Sequence, residues 1–200
     1  MTDQILWFAT RGAGVVSLLL FTAVTCLGLL TVVRWQSGSW PRFLTAELHR
    51  NLALLSLVFL GAHIATAIMD PFTSLGLVAA LIPFASSYRP LWVGLGVIAI
   101  DLIVALIVTS LLRERIGQRA WRTIHWASYA AWPLALVHGL GAGSDAFAPW
   151  LLAIQGGCSV AVGGALLWRL AVARSNRSRL RGAVAAGGPR VAGPFAKGGD

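Results

Sequence analysis

The sequence predicts an all-α integral-membrane bundle of five transmembrane helices, and two observations carry that reading. Of 200 residues, 57% are hydrophobic and 12% charged, with a mean hydropathy of +0.75, whereas soluble domains hold about 45–50% apolar and 25% charged residues. The apolar residues also gather into five stretches, each near the roughly 20 residues that cross a hydrocarbon core. Each must be a helix, because unpaired backbone amides are too costly in lipid. These spans leave no room for a soluble catalytic domain.

In chain order, residues 1–10 form a short head with Asp3. The first run, 12–33, lacks a basic n-region and a small-x-small cleavage site, so no cleaved signal peptide is expected. The second run covers 47–69, the third 91–112, the fourth 121–140 and the fifth 150–173, so 11–173 reads as one transmembrane domain. Residues 72–84 are apolar too, but they lie between Pro71 and Pro83 and are too short to span. They read as an interfacial or re-entrant piece over one end of the bundle. Residues 174–200, rich in Arg, Gly and Pro, cannot bury a core and read as a disordered basic tail.

The formal charge of +9 reports loop orientation and lipid headgroups rather than nucleic acid. Arg34 and Arg42 lie in the first loop, Arg113, Arg115, Arg119 and Arg122 in the third, and Arg174, Arg177, Arg179 and Arg181 after the fifth run. These regions are expected to be cytoplasmic. The second loop offers Arg89 and residues 141–149 have no Lys or Arg, so both should face outward, with the N-terminus outside and the C-terminus in the cytoplasm. Tryptophans 7, 35, 40, 92, 121, 150 and 168 fall near span ends, as an aromatic belt requires. Cys26 and Cys158 lie in apolar runs and suggest neither a disulfide framework nor a cysteine metal site.

All four histidines lie on two of the five helices: His49 and His63 on the second, His125 and His138 on the fourth. Separations of 14 and 13 residues put the members of each set roughly 20 Å apart along the helix. One crossing intervenes, so the two helices run parallel and His49 falls level with His125, His63 with His138. A ring nitrogen from each of two facing helices can fill both axial positions of a haem iron in a bundle core, so two stacked b-type haems and one-electron transfer are expected. Four-His zinc ligation does not fit, since zinc needs ligands within about 2 Å of one point. Helical phase puts His63 within about 40° of His49, but leaves His138 about 140° from His125 on a straight helix. Pro133 lies between that second pair and could re-aim His138 through a kink or wide turn.

The residues His49-Arg50 with His63 14 positions later, the Thr109-Ser110-Leu111-Leu112-Arg113 helix end, and Trp121-Arg122-x-x-His125-x-x-x-Tyr129 leading to His138-Gly139 resemble the ferric-reductase-like transmembrane domain of ferric reductases, NADPH oxidases and a bacterial methionine sulfoxide reductase haem subunit. The resemblance covers about residues 34–174. It implies that His49 and His125 hold an inner haem, and His63 and His138 an outer one. Many members have six spans. The oxidases and ferric reductases add a C-terminal flavin and nicotinamide domain, and no glycine-rich nucleotide fingerprint occurs in this tail. The expected donor is therefore a cytoplasmic flavoprotein reductase or a membrane quinol. The expected acceptor is external: ferric iron or its chelate, a periplasmic or extracellular reductase, an FMN protein or oxygen. The expected location is the inner cell membrane.

Arg50 and Arg122 neighbour the inner ligands and could pair with haem propionates, although positive-inside topology explains them equally well. Arg89 is a candidate for the outer propionates or an anionic acceptor. Asp101, mid-span, should face the bundle, be protonated or pair, serving proton uptake, haem tuning or a plain hydrogen bond. Trp126, Tyr129 and Trp132 read as filling around a porphyrin, and Gly61, Gly139 and Gly141 as room for a flat macrocycle. Two rival classes are a haem-free membrane scaffold or assembly subunit, and a small transporter, for which Asp101 and the Pro71–Pro83 region would be the pointers.

Overall fold

The computed structural model describes residues 2–33, 42–73 and 75–185. Residues 1, 34–41, 74 and 186–200, which include Arg34, Trp35, Trp40 and the end of the predicted tail, lie outside the described residues. The described chain is helical throughout: α1 Thr2–Val33, α2 Arg42–Met69, α3 Leu77–Leu81, α4 Pro90–Leu111, α5 Arg113–His125, α6 Ser128–Gly141 and α7 Pro149–Ala185. Four stretches are long and apolar enough to cross a membrane: Gln4–Thr31, Phe43–Met69, Pro90–Leu111 and Pro149–Ser178. The fourth predicted run is not among them, because α5 and α6, of 13 and 14 residues, divide it.

Two further boundaries differ from the sequence reading. The head is not separate, since α1 begins at Thr2 and runs unbroken into the first span. The segment after residue 173 is not irregular as far as it is described, because α7 continues to Ala185. Leu, Ala and Arg are strong helix formers, and adding turns to an existing helix avoids the costly nucleation step. The short apolar segment between the second and third runs makes no long helix. It holds only α3, with Leu77, Val78 and Leu81 exposed beside the end of α2.

α1 is the central element and packs along α2, with α7 and α6 also against it, while α4 packs on α6 and α5. Leu29 on α1 and Ala131 on α6 are almost wholly enclosed. Trp132 on α6 donates its indole N–H to Thr22 Oγ1 on α1 at 3.0 Å, which satisfies a buried polar group at the centre of the bundle. Pro90 sits at the start of α4, where its missing N–H has no helical partner to lose.

Candidate functional site

A cavity of about 1600 Å³ runs along the bundle between α1, α2, α4, α5, α6 and α7, with a mostly apolar wall that carries all four imidazoles. His49 faces His125 with ring centroids 6.4 Å apart and planes at 57°. His63 faces His138 at 6.2 Å and 81°. The structure thus brings together the two cross-helix pairs that the depth argument expected. Among the described residues no three His, Cys, Asp or Glu converge on one metal ion; the imidazoles come together as two pairs.

One device repeats at three of the four rings. The Nδ1–H of His49 donates to the Val24 carbonyl at 3.0 Å, that of His63 to the Thr10 carbonyl at 2.9 Å, and that of His138 to the Trp92 carbonyl at 2.8 Å. A carbonyl only accepts, so Nδ1 carries the hydrogen and Nε2 keeps its lone pair for the cavity. These carbonyls belong to helices, where each already accepts from the N–H four residues on. In each case the residue four positions on is glycine: Gly28 after Val24, Gly14 after Thr10, Gly96 after Trp92.

The coincidence has a steric cause. A Cβ at Gly14 would stand 2.8 Å from His63 Nδ1, one at Gly96 2.6 Å from His138 Nδ1, and one at Gly28 3.4 Å from His49 Cε1. Each glycine is a notch that exposes a helix carbonyl to a second donor. Sequence reasoning missed all three, and the signal was there: Gly14 and Gly28 are 14 residues apart, the spacing of His49 and His63 on the antiparallel helix they face. Of the glycines proposed from the sequence, Gly139 lines the cavity. Gly61 has open space around it, Gly139 faces the Gln155 side chain, and Gly141 lies against the Trp92 ring.

His125 has no such notch, and its Nδ1 is buried without a partner. Its ring stacks on Trp121, with centroids 4.9 Å apart, and Trp121 donates its indole N–H to Ser110 Oγ at 3.2 Å and carries the Arg113 guanidinium over its face. The 13-residue phase problem is resolved immediately after this residue, not at Pro133. The N–H groups of Trp126, Ala127, Tyr129 and Ala130 bond to carbonyls three residues back, those of Thr123, Ile124, Trp126 and Ala127. Four residues at three per turn add about 80° of winding over an α-helix, which brings His138 to within about 60° of His125. Ser128 Oγ donates to the His125 carbonyl at 2.8 Å and so satisfies the helix end. Pro133 lies inside an unbroken α6.

Arg50 and Arg122 both line the cavity near His49 and His125, and Arg50 donates to Glu47 at 2.5 Å. Arg89 does not line it; its guanidinium donates to the carbonyls of Gly141 at 2.5 Å and Gly143 at 3.1 Å. The cation at the His63/His138 end is Arg11 on α1, ion-paired with Asp145. Sequence reasoning gave Arg11 no part in the site. Trp126 and Tyr129 lie on the cavity wall, whereas Trp132 is buried behind it. Asp101 does not turn into the bundle. It is exposed on the outer face of α4 with Val104 and Val108, because Gly96 fixes the inward face and five residues turn the helix about 140° away.

The donor set fits a bis-histidine haem. Two imidazole–metal bonds of about 2.0 Å each would put facing nitrogens about 4 Å apart, and ring centroids about 1 Å further out on each side, close to both observed separations. The three backbone acceptors are of the kind that orient histidines in metal sites. Residues 13–136 match the family model described as ferric reductase like transmembrane component, a span that includes His49, His63 and His125 and ends just before His138. Comparison with curated proteins and with solved structures finds no match.

Proposed function

The chain belongs to the family of ferric reductase-like transmembrane components, and on that premise we propose that it is a membrane-embedded b-type cytochrome that moves electrons between the two faces of a membrane by way of two haems b. The observation that supports this reading best is the pair of facing imidazole sets at matched depth, each with the separation that two axial ligands of one iron require. His49 and His125 would hold one group, His63 and His138 the other. When bound, each group would supply one-electron transfer.

The rest is done by the chain's own residues. The carbonyls of Val24, Thr10 and Trp92 hold three rings in the tautomer that turns Nε2 to the cavity. The apolar wall excludes water, which strengthens every charge interaction inside it. Arg50 and Arg122 at one end and Arg11 at the other offer guanidinium groups to propionates. The arginines after α4 and along α7 support an orientation with the His49/His125 end in the cytoplasm, facing a flavoprotein or quinol donor, and the His63/His138 end toward an external acceptor. On this orientation the last turn of α5 and α6 together make the crossing expected over 121–140, and the membrane is the inner cell membrane.

Proteoliposomes with trapped ferricyanide and external dithionite test the function directly. Ferricyanide is expected to be reduced only in vesicles that carry the haem-loaded protein, and not with His63→Ala. Ferricyanide that stays oxidised beside fully loaded wild-type protein would contradict transmembrane transfer and favour a scaffold role.

A further inference from the structure

We propose that Arg169 is the positioning residue for His125, and through it for the group held between His49 and His125; the inference rests on the two-haem reading above. Three of the imidazoles are fixed by a helix carbonyl exposed at a glycine, and His125 alone has a buried Nδ1 with no acceptor. Something else must set its direction. α5, which ends at His125, buries no residue of its own, so the support that helix gives the ring is the Trp121 stack at 4.9 Å. The direction is set by the tight turn that follows, Trp126 to Ala130, which supplies the extra winding between His125 and His138.

That turn contains no proline or glycine to impose it. It is held from outside. Arg169 on α7 donates from Nη1 to the Tyr129 hydroxyl oxygen at 2.5 Å, and its guanidinium lies 5.5 Å from the Trp126 ring centroid and 5.6 Å from that of Tyr129. One planar cation therefore grips both aromatic residues of the turn, by a charge-assisted hydrogen bond and two cation–π contacts. α7 itself packs chiefly on α1, the helix whose Val24 carbonyl orients His49. Arg169 thus ties the turn to the frame that holds the opposite ligand. The far end of α6 is anchored separately, where His138 donates to the Trp92 carbonyl of α4. Without the clamp, the freedom falls on His125 and leaves His138 in place.

The test uses the full chain purified with its haem, read by low-temperature electron paramagnetic resonance of the oxidised protein and by haem per chain. The angle between axial imidazole planes governs the anisotropy of a low-spin ferric signal, so pairs at 57° and 81° give separable signals. His49→Ala and His63→Ala assign them. Arg169→Gln is expected to shift the His49/His125 signal or turn it high-spin, with haem per chain falling from about two toward one, and to leave the His63/His138 signal unmoved. Tyr129→Phe, which keeps the ring and removes the acceptor oxygen, is expected to give the same selective change in smaller measure, and it serves if Arg169→Gln does not fold. Both signals unchanged, or both disturbed alike as by general loosening, would overturn the role of Arg169. A wild-type protein without two low-spin signals would overturn the two-haem reading instead.

Discussion

At the His63/His138 end of the cavity both rings donate into helix carbonyls laid open by Gly14 and Gly96, and the nearby cation, Arg11, is matched by Asp145. At the His49/His125 end only His49 is held this way, and Arg50, Arg113, Arg122 and Arg169 line the wall with Glu47. The first end is oriented by backbone and close to charge balance. The second is oriented partly by side chains and is cationic. Backbone acceptors on continuous helices cannot move without moving the helix, whereas a stacked tryptophan and a clamped turn can adjust. The difference predicts a rigid site and an adaptable one, and in the proposed orientation the adaptable one lies on the donor side.

The largest effect that would sharpen this contrast comes from removing a ligand at the rigid end. His138→Ala is expected to lose the group at that end and keep the other, read as a halving of haem per chain; retention of both native Soret components would strike His138 from the ligand set. Next comes the notch. Gly96→Ala places a Cβ 2.6 Å from His138 Nδ1 and 2.8 Å from Cε1, so the ring must leave its carbonyl. Haem occupancy at the site each glycine faces is expected to fall several-fold in Gly96→Ala, less in Gly14→Ala and least in Gly28→Ala, which faces His49 and where the approach is 3.4 Å. Equal effects at the three positions would mean that the notches do not orient the rings.

A smaller effect is expected from charge. Four arginines against one carboxylate favour the reduced form of a group at the His49/His125 end, so that site is expected to have the higher midpoint potential. Asp145→Asn leaves Arg11 unbalanced and should raise the lower potential toward the higher one in a redox titration. A lower midpoint after that substitution would contradict the charge comparison. The smallest effect is at Gly12, two residues from the Gly14 notch but with open space around it. Gly12→Ala is expected to stabilise α1 by about 0.5–1 kcal/mol in thermal unfolding and to leave haem content untouched.

The pairing of the histidines was legible because it needs only their helix assignment, their depth and the direction of each helix. Their orientation was not, although two glycines on the first run repeat the 14-residue interval; a glycine in an apolar helix reads first as helix packing. The break after His125 carries no breaker residue, so proline drew attention to position 133, and the true signal was the 13-residue interval itself. Arg169 was hidden inside an apolar run, and its partners Trp126 and Tyr129 read as porphyrin filling. The outward turn of Asp101 follows from Gly96 only once Gly96 is known to face His138. Helix ends were extended in both directions, at Thr2 and at Ala185, because hydropathy marks what sits in lipid and not where helical bonding stops.

The most direct measurement is haem per chain by pyridine haemochrome, with a reduced-minus-oxidised visible spectrum of the purified protein. About two haems b per polypeptide with sharp low-spin bands are expected from two bis-imidazole sites. No haem after expression with ample haem supply, or haem with an open-site high-spin spectrum, would contradict the assignment of the two histidine pairs.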